Sequence, residues 1–334
     1  MQHNGVPYNS STPKKVWRKV RKTIIIDSRD RQQTTTSSPG SYTVVLPAVY
    51  QNVYSITLRS YEVPLTYNMF AACQSNTTFN MTWTPTGGSA QTSNVTIPDG
   101  NYTSASLPLA ITYAIQSNAG FTTAGSSAPS NLNAYWNSTT GKLGIYSTLS
   151  TDAIALTFNP SQSPNCGQGQ NFPATTGWGL GYYMGYYPTS YTSSLSNVTV
   201  TTNNVTSNYT GVNGSFIMNP SPDTYVVMEL AGLNKIDETG LDGRVAGRID
   251  GCFAKIPVTV NQGEYMYFID TSGPSPLNQR IYNPPIARLD RLTVRWRRHD
   301  GRTLDFNGGE HSFTLEIETL DNNFDEYSSL EFSR

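Results

Sequence analysis

Alternating apolar and polar positions recur along most of this chain, with short stretches of turn residues between them. Near the carboxyl end, every second position is apolar, and the residues between include Arg291, Arg295 and Arg297. This period of two places the apolar side chains on one face of a strand and the arginines on the other. The apolar residues are Leu292, Val294 and Trp296. Similar alternating or β-branched runs predict strands at residues 24–26, 41–46, 53–63, 79–84, 144–149, 154–158, 225–230, 264–269, 291–296 and 312–318.

One segment departs from this pattern and predicts a helix over residues 104–118. Large apolar side chains recur there every four positions, and two alanines extend the same stripe. These residues are Leu107, Ala110, Ile111, Ala114 and Ile115. Ser104 can cap the amino end, Pro108 is compatible with the first turn, and Asn118 followed by Gly120 can end the helix. We expect an amphipathic helix that lies on a sheet edge or under a loop.

The order of these elements predicts the fold class. Short strands at this spacing, without helices between them, are typical of an antiparallel sandwich or barrel. Between residues 159 and 219 the chain turns to Gln, Gly, Asn, Ser, Thr and Tyr, with few aliphatic residues. The sequence therefore predicts an all-β protein with one short helix and a loop-rich insertion at 159–219. That insertion is either a long loop excursion or a small added β subdomain.

A basic segment precedes the first predicted strand. Six of the chain's 22 Lys and Arg residues fall within residues 14–22. Such a segment is too polar and too short to bury a face of its own, so we expect it to become ordered on a partner. The predicted organisation is an N-terminal arm over residues 1–22 and one β domain over residues 23–334. The candidate contact residues of the arm are Lys14, Lys15, Trp17, Arg18, Lys19, Arg21 and Lys22.

Charge is distributed unevenly, although the net charge of −1 gives no global field that would attract nucleic acid. From Val63 to Pro222 the charged residues are Asp99, Lys142 and Asp152. A surface of Thr, Ser, Asn, Gln, Gly and Tyr suits contact with neighbouring protein copies, because burying it dehydrates few ions. A polar β surface of the secreted type would have the same composition.

The three cysteines, Cys73, Cys166 and Cys252, are far apart and have no CxxC spacing. This pattern indicates neither a zinc site nor a disulfide framework. We therefore expect reduced thiols in a protein synthesised in the cytosol. The first residues do not resemble a secretory signal, and no run approaches 18 consecutive apolar residues.

Candidate catalytic residues are few. The histidines are His3, His299 and His311, and neither an HExxH motif nor a Gly-x-Ser-x-Gly motif is present. The glycines between Gly177 and Gly185 lack the Lys-Ser/Thr of a phosphate loop and indicate close packing of a strand or loop instead. The sequence predicts a protein that is not an enzyme and that has no cofactor.

Two acidic groups are candidate cation ligands. Asp237 to Gly243 offers oxygen ligands that calcium could use, although a solvated turn has the same composition. Asp27 and Asp30 flank Ser28 and Arg29. We interpret this second group as a corner of mutually paired charges and not as a metal site.

A second basic group occupies residues 288–302. Alternation places several of its arginines on one strand face, where they could bind nucleic-acid phosphate or an acidic neighbour. A solvated strand face whose cations are balanced by Asp290, Asp300 and Asp305 explains the same pattern. Both interpretations stay open from the sequence.

Four signatures in order resemble a family of minor capsid and penton (vertex) proteins from nucleocytoplasmic large DNA viruses. The first is IIIDSRDR at 24–31, followed by YTVVLP at 42–47 and VYSITLRSYEVP at 53–64. The second is IPDGNYT at 97–103, which enters the predicted helix, and the third is WNSTTGKL at 136–143, a hairpin. The fourth is PPIARLDRLTV at 284–294, followed by FNGGEHSF at 306–313. The resemblance covers roughly residues 23–318.

This resemblance implies an antiparallel jelly-roll sandwich and a non-enzymatic structural role in an icosahedral shell. It implies contacts with a major capsid protein, with minor capsid proteins, or with further copies of the chain in a pentamer. The basic arm would contact one of these, an inner membrane or the genome. The protein would be made in the host cytoplasm and located in the virion. The alternative is a glycan- or host-surface-binding sandwich that uses the tyrosines between Tyr182 and Tyr191 as platforms.

Overall fold

The computed structural model describes residues 17–32, 34–35, 37–158, 179–186, 190–192, 194–202, 205–220, 224–237, 251–271, 279–298 and 303–322. Within these ranges the chain forms mostly antiparallel strands. The strands before the first helix are β1 Trp17–Asp27, β2 Ser41–Pro64, β3 Thr78–Thr84 and β4 Gln91–Thr96. Helix α1 is Ser106–Gln116 and helix α2 is Leu180–Met184. The strands between these helices are β5 Leu132–Asn137, β6 Lys142–Ser147 and β7 Ala153–Thr157.

After α2 the chain continues in strands. They are β8 Ser190–Thr192, β9 Ser194–Thr202, β10 Val205–Asn213, β11 Tyr225–Leu230, β12 Ala254–Pro257, β13 Tyr265–Ile269, β14 Gln279–Arg297 and β15 Ser312–Asn322. The predicted antiparallel all-β class with one substantial helix is confirmed.

The largest sheet joins the two ends of the described chain. Its order is β1-β15-β2-β14-β11-β12, and β13 pairs with β2. One face of this sheet encloses a core made only of residues that precede residue 68 or follow residue 225. The expected alternation is present, since Leu292, Val294 and Trp296 are all buried in that core. Burying each such side chain stabilises the fold by about 1.5–3 kcal/mol.

A second core is formed by the chain between residues 69 and 218. Two four-stranded sheets, ordered β5-β6-β10-β9 and β4-β3-β7-β8, pack with α1 around it. Strands β8 to β10 belong to the stretch 159–219. Strand β8 pairs with β7, β10 pairs with β6, and β9 pairs with β10. The insertion boundary predicted at residue 159 therefore falls inside this second core.

Strand β2 unites two strands that the sequence predicts separately. Asn52, between them, has a φ of 49°, and the pairing of β2 with β14 changes register nearby. Asparagine tolerates this left-handed conformation better than most residues. The polar break in the hydrophobic pattern is therefore a local irregularity within one long strand and not a turn.

Helix α1 confirms the predicted element, but its cap differs from the prediction. Thr103 and Ser106 cap the amino end reciprocally: the Thr103 N–H donates to Ser106 Oγ at 2.8 Å, and the Ser106 N–H donates to Thr103 Oγ1 at 3.1 Å. Ser104 therefore does not supply the cap. At the other end, Asn118 Oδ1 accepts the Gly120 N–H at 2.8 Å, as the turn signal there suggests.

Candidate assembly surfaces

The described residues of the basic arm lie in strand β1. Trp17 to Lys22 pair with Ile317 to Asn322 of β15. Strand β1 therefore runs across the boundary predicted at residue 22. The physical reason is that a strand can satisfy its backbone through a partner strand even where its side chains are charged and exposed. Lys14 and Lys15 lie outside the described residues.

The side chains of this arm lie mostly in solvent and make specific contacts along the sheet. Lys19 Nζ lies 4.2 Å from the centre of the Tyr54 ring, and Lys22 Nζ lies 5.7 Å from that of Tyr50. Exposed cation–π contacts of this kind stabilise by about 0.5–1 kcal/mol each. The arm cations therefore give β1 a basic outer surface at small cost to the fold.

Arg21 pairs with a buried carboxylate. Its Nε donates to Glu318 Oε1 at 2.7 Å, and Glu318 also accepts Ser55 Oγ at 2.8 Å. The Glu318 side chain is buried, which opposes its ionisation, but the hydrogen bonds from Ser55 and Arg21 outweigh burial and hold its pKa below the usual value. Arg21 is thus a partner of a buried carboxylate as well as a surface cation.

Two truncations separate these roles. Deleting residues 1–16 leaves β1 intact, and we expect a melting temperature within a few degrees of the full chain. Deleting residues 1–22 removes half of β1 and leaves the Glu318 carboxylate without its cation, so we expect a melting temperature clearly below that of the 1–16 truncation. Thermal unfolding of both variants is the measurement. Equal melting temperatures for the two truncations would contradict this role of residues 17–22.

A groove lies beside the apolar part of β1. It has a volume of about 340 Å³ and is bounded by residues 24–27 and Asp30 on one side and by residues 44–47 of β2 on the other. Ile25 and Val45 are 78% and 64% exposed. Their neighbours along each strand, such as Ile24 and Val44, are buried in the first core. The groove is therefore lined by aliphatic side chains with two carboxylates at one end.

The first and fourth sequence signatures meet at one buried corner. Arg31 Nη1 donates to both carboxylate oxygens of Glu310 at 2.8 Å, and Ser28 Oγ donates to the same carboxylate. The Ser28 N–H donates to the His311 carbonyl, and the His311 N–H donates to Ser28 Oγ, each at 2.9 Å. Asp27 pairs with Arg29 at 2.5 Å. The predicted corner of paired charges is present, although Arg31 finds its partner across the fold.

His311 lies at the centre of this corner and is 3% exposed. Its Nε2 is 2.8 Å from Trp296 Nε1 and 3.0 Å from the Tyr42 hydroxyl. An indole N–H can only donate, so Nε2 is an acceptor and the ring carries its proton on Nδ1. Burial lowers the pKa of His311 to about 4, although Glu310 and Asp27 act in the opposite direction. His311 is therefore a neutral structural residue near neutral pH.

The second basic group is used mainly for internal pairing. Arg297 is buried and donates to Glu229, which also lies 3.6 Å from Arg295. Arg298 is buried as well and donates to the Asn68 carbonyl at 2.5 Å. These contacts favour a structural role over phosphate binding. The expectation that Arg297 shares a solvated face is wrong, because Glu229 on β11 lies beside it.

The outer pair of this group remains at the surface. Arg288 and Arg291 lie 3.1 Å and 3.6 Å from Asp290, and both arginines are largely exposed. Arg302 lies outside the described residues, as do His299 and the acidic segment from residue 238 to Gly243. Asp290 therefore pairs with the exposed arginines of this face, as the sequence predicts.

The charge-poor stretch exposes apolar side chains. Leu109 and Tyr113, one turn apart on α1, are 69% and 73% exposed. Phe216 and Ile217, after β10, are 55% and 66% exposed. Residues four apart on a helix lie on the same face, so Leu109 and Tyr113 form one outward patch. Contiguous apolar patches on a polar surface mark sites of protein contact.

Two of the tyrosines that the surface-binding alternative requires are structural. Tyr183 and Tyr186 are buried, and the Tyr186 hydroxyl donates to the Val212 carbonyl at 2.8 Å. Tyr182 is 51% exposed, whereas the hydroxyl-bearing ring of Tyr191 is not described. The glycine-rich segment contains helix α2, where a Cβ at Gly181 would lie 2.6 Å from the Phe158 ring. The predicted close packing at these glycines is confirmed, but it occurs in a helix and not in a strand or loop.

The cysteines differ in state. Cys252 is a free, buried thiol, whereas Cys73 is disulfide-bonded. The expectation of three reduced thiols is wrong for Cys73, because sequence spacing does not show which distant residues a fold brings together.

Within the described ranges, no three His, Cys, Asp or Glu side chains are grouped as a metal site would require. None of the described helices is long and apolar enough to cross a membrane.

Comparison with known proteins identifies one curated relative by sequence. Residues of this chain are 31% identical over 97 positions to penton capsid protein P1 of Paramecium bursaria Chlorella virus 1. The match covers 29% of this chain and 54% of that relative, so the chain spans about half the length of the curated relative it matches. No family model matches the sequence. The resemblance to viral penton proteins stated from the motifs is confirmed by this match.

Two solved structures match this chain at lower sequence identity. The mavirus penton protein has a TM-score of 0.45 and 9% identity, and the alignment covers 90% of this chain and all of that chain. The Sputnik virophage structure has a TM-score of 0.42 and 13% identity, with 90% and 98% covered.

Proposed function

We propose that this chain is a structural component of an icosahedral virion, either the penton at the vertices or a minor capsid protein. The observation that carries the proposal is the 31% identity over 97 residues to a penton capsid protein. Its body contributes no enzymatic chemistry in this role. It supplies a surface that neighbouring capsid proteins pack against.

The distribution of charge supports this role. Asp152 is buried, so few charged side chains reach the surface between Val63 and Pro222. Exposed tyrosine and aliphatic side chains can be buried against a neighbour without dehydrating an ion. This stretch is therefore suited to contacts that close a shell.

The partners in this proposal are the major capsid protein, minor capsid proteins and further copies of the chain as a pentamer. The basic arm, including Lys14 and Lys15, makes one of these contacts or reaches an inner membrane or the genome. The protein is synthesised in the host cytoplasm and is incorporated into the virion there.

The oligomeric state of the purified chain tests the penton assignment. Mass photometry is expected to find a species five times the 36.7 kDa chain mass. The presence of the chain in purified particles tests the wider assignment to the capsid. A chain that is absent from particles would refute the proposed function.

Substitution of the outward patch on α1 tests the contact surface. Leu109→Lys combined with Tyr113→Lys is expected to abolish incorporation into particles, because a buried ammonium would lack a partner. Both positions are exposed in the single chain, so the melting temperature should change by no more than a few degrees. Quantitative mass spectrometry of purified particles measures incorporation.

Ile269→Lys is the matched control. Ile269 is 72% exposed but lies on β13, outside the charge-poor stretch. This variant is expected to enter particles normally. If the double variant is incorporated as well as the control, the contact does not use this face of α1.

A further inference from the structure

The groove beside β1 has the geometry of an acceptor for an extended segment. Strand β1 is the last strand on its side of the large sheet, and β15 is its only partner in the described part of the chain. In that same part, Val44 and Val45 of β2 pair with β14, and residues 44–47 have no partner strand on their second edge. A strand edge of this kind presents N–H and C=O groups that another chain can pair with.

The lining of the groove specifies a segment with both apolar and basic residues. Aliphatic side chains of β1 and β2 form its walls, and the carboxylates of Asp27 and Asp30 lie at one end. Ile25 and Val45 expose most of their side chains in the single chain. Natural proteins cover or charge long apolar strand edges. Here the charges of β1 lie at residues 18–22 and at Asp27, and residues 23–26 carry none.

We propose that residues 1–16 of a second copy of this chain dock in this groove as an added strand. This inference rests on the proposed function, since it assigns the arm's partner within the capsid assembly. Lys14 and Lys15 would approach Asp30, since Asp27 is already paired with Arg29, and Val16 would lie against the aliphatic walls. Residues 14–16 are at most three positions before Trp17, where β1 begins, so this contact places the donor's β1 within about 10 Å of the acceptor's groove, and residues 1–13 extend beyond it.

Charge explains why the occupant comes from another copy. If the arm folded back along its own β1, Lys14 and Lys15 would lie beside the cations at the start of that strand. Like charges on adjacent strands are destabilising. The chain's other terminal segment, residues 323–334, contains Asp325, Glu326 and Glu331, which the groove carboxylates would repel. The arm of a second copy avoids both conflicts.

Cross-linking between two variants that each carry one added cysteine tests the inference. Lys15→Cys protein is mixed with Val45→Cys protein and treated with a short bismaleimide, and mass spectrometry identifies the joined peptides. We expect a link between residue 15 of one copy and residue 45 of the other. Mixing Lys15→Cys with Ile269→Cys is the control, because Ile269 is similarly exposed but lies outside the groove. The unsubstituted protein gives the background from its own cysteines.

Three outcomes would overturn the inference. The first is an absence of the 15–45 link when the oligomer forms. The second is a monomer with an internal link in a Lys15→Cys, Val45→Cys double variant, which would mean that the groove takes its own arm. The third is an unchanged oligomer for Val45→Lys, a substitution at a 64% exposed position. A chain that enters particles without the link refutes this inference alone, and a chain that forms the link but stays out of particles refutes the proposed function alone.

Discussion

Replacing Asp152 with alanine is expected to lower the free energy of unfolding by roughly 1–3 kcal/mol. Asp152 is 2% exposed and accepts hydrogen bonds from several parts of the second core. Trp83 Nε1 and the Thr86 N–H donate at 3.1 Å and 3.0 Å, and the hydroxyls of Ser127 and Ser147 donate at 2.6 Å and 2.7 Å. The hydroxyls can rotate to other acceptors, and the Thr86 N–H keeps Ser127 Oγ at 3.1 Å as an acceptor. The buried Trp83 N–H would lose its acceptor, at about 1–3 kcal/mol.

The ionised form of Asp152 is the one that this site holds. Burial opposes ionisation, but the hydrogen bonds from Ser127, Ser147, Thr86 and Trp83 outweigh it, and the pKa of the carboxyl lies below its usual value. A carboxyl with a lowered pKa stabilises the folded state above its ordinary pKa, and this contribution is lost as the pH falls. Asp152 is therefore a structural residue, although it is one of three charged residues in the charge-poor stretch.

Asp99→Ala is the matched control for this prediction. Asp99 belongs to the same stretch but is exposed, and it accepts one backbone N–H, from Ala72 at 2.8 Å. Its loss is expected to cost about 0.5–1.5 kcal/mol. Chemical denaturation of both variants gives the comparison. An Asp152→Ala protein no less stable than Asp99→Ala would show that the buried network does not hold the second core together.

Acidification from pH 7 to pH 4.5 is expected to destabilise the first core by about 2.4 kcal/mol through His311 alone. The pKa of His311 is about 4 in the folded protein and about 6.5 in an unfolded chain. Between these values the unfolded state binds more protons, so stability falls as the pH falls. The stabilising contribution of neutral His311 is fully present above about pH 6.5. Carboxyls with lowered pKa, such as Glu310 and Glu318, lose their stabilising contribution at pH values below this range.

His311→Gln separates this contribution from that of other groups. Glutamine cannot titrate, but its amide oxygen can accept the Trp296 N–H that His311 accepts. The melting temperature of the native chain should fall between pH 6.5 and pH 4.5, and that of the variant should change much less. Parallel curves for the two proteins across this range would contradict the assignment of the acid sensitivity to His311.

The local pattern of the sequence predicted the elements whose apolar residues follow a clear period. Leu292, Val294 and Trp296 alternate and lie in the core, and the four-residue stripe of α1 lies under its sheets. Strands β9 and β10 were not predicted, since most of their residues are Thr, Ser and Asn. Their stability depends on pairing with β6 and on a few apolar residues such as Val198 and Val212, which a local period does not show.

The contacts between distant residues could not be predicted from one sequence. Arg31 and Glu310 are 279 positions apart, and nothing local to either residue specifies the other. The burial of Arg297 depends in the same way on Glu229, which lies on a strand far away in sequence. The ordered motifs nevertheless marked both halves of the corner around His311. The groove beside β1 was not foreseen, because it depends on which strand edges the sheet order leaves without partners.

The position of this chain in a particle tests the central claim most directly. A cryo-electron microscopy reconstruction of purified particles, at a resolution that traces strands β1 and β15, would locate each copy. The account predicts copies within the icosahedral shell, with the charge-poor stretch against neighbouring capsid proteins and the arm bound to an adjacent subunit. A shell that contains no copy of the chain, or copies attached only to its outer surface, would contradict a structural role in the capsid.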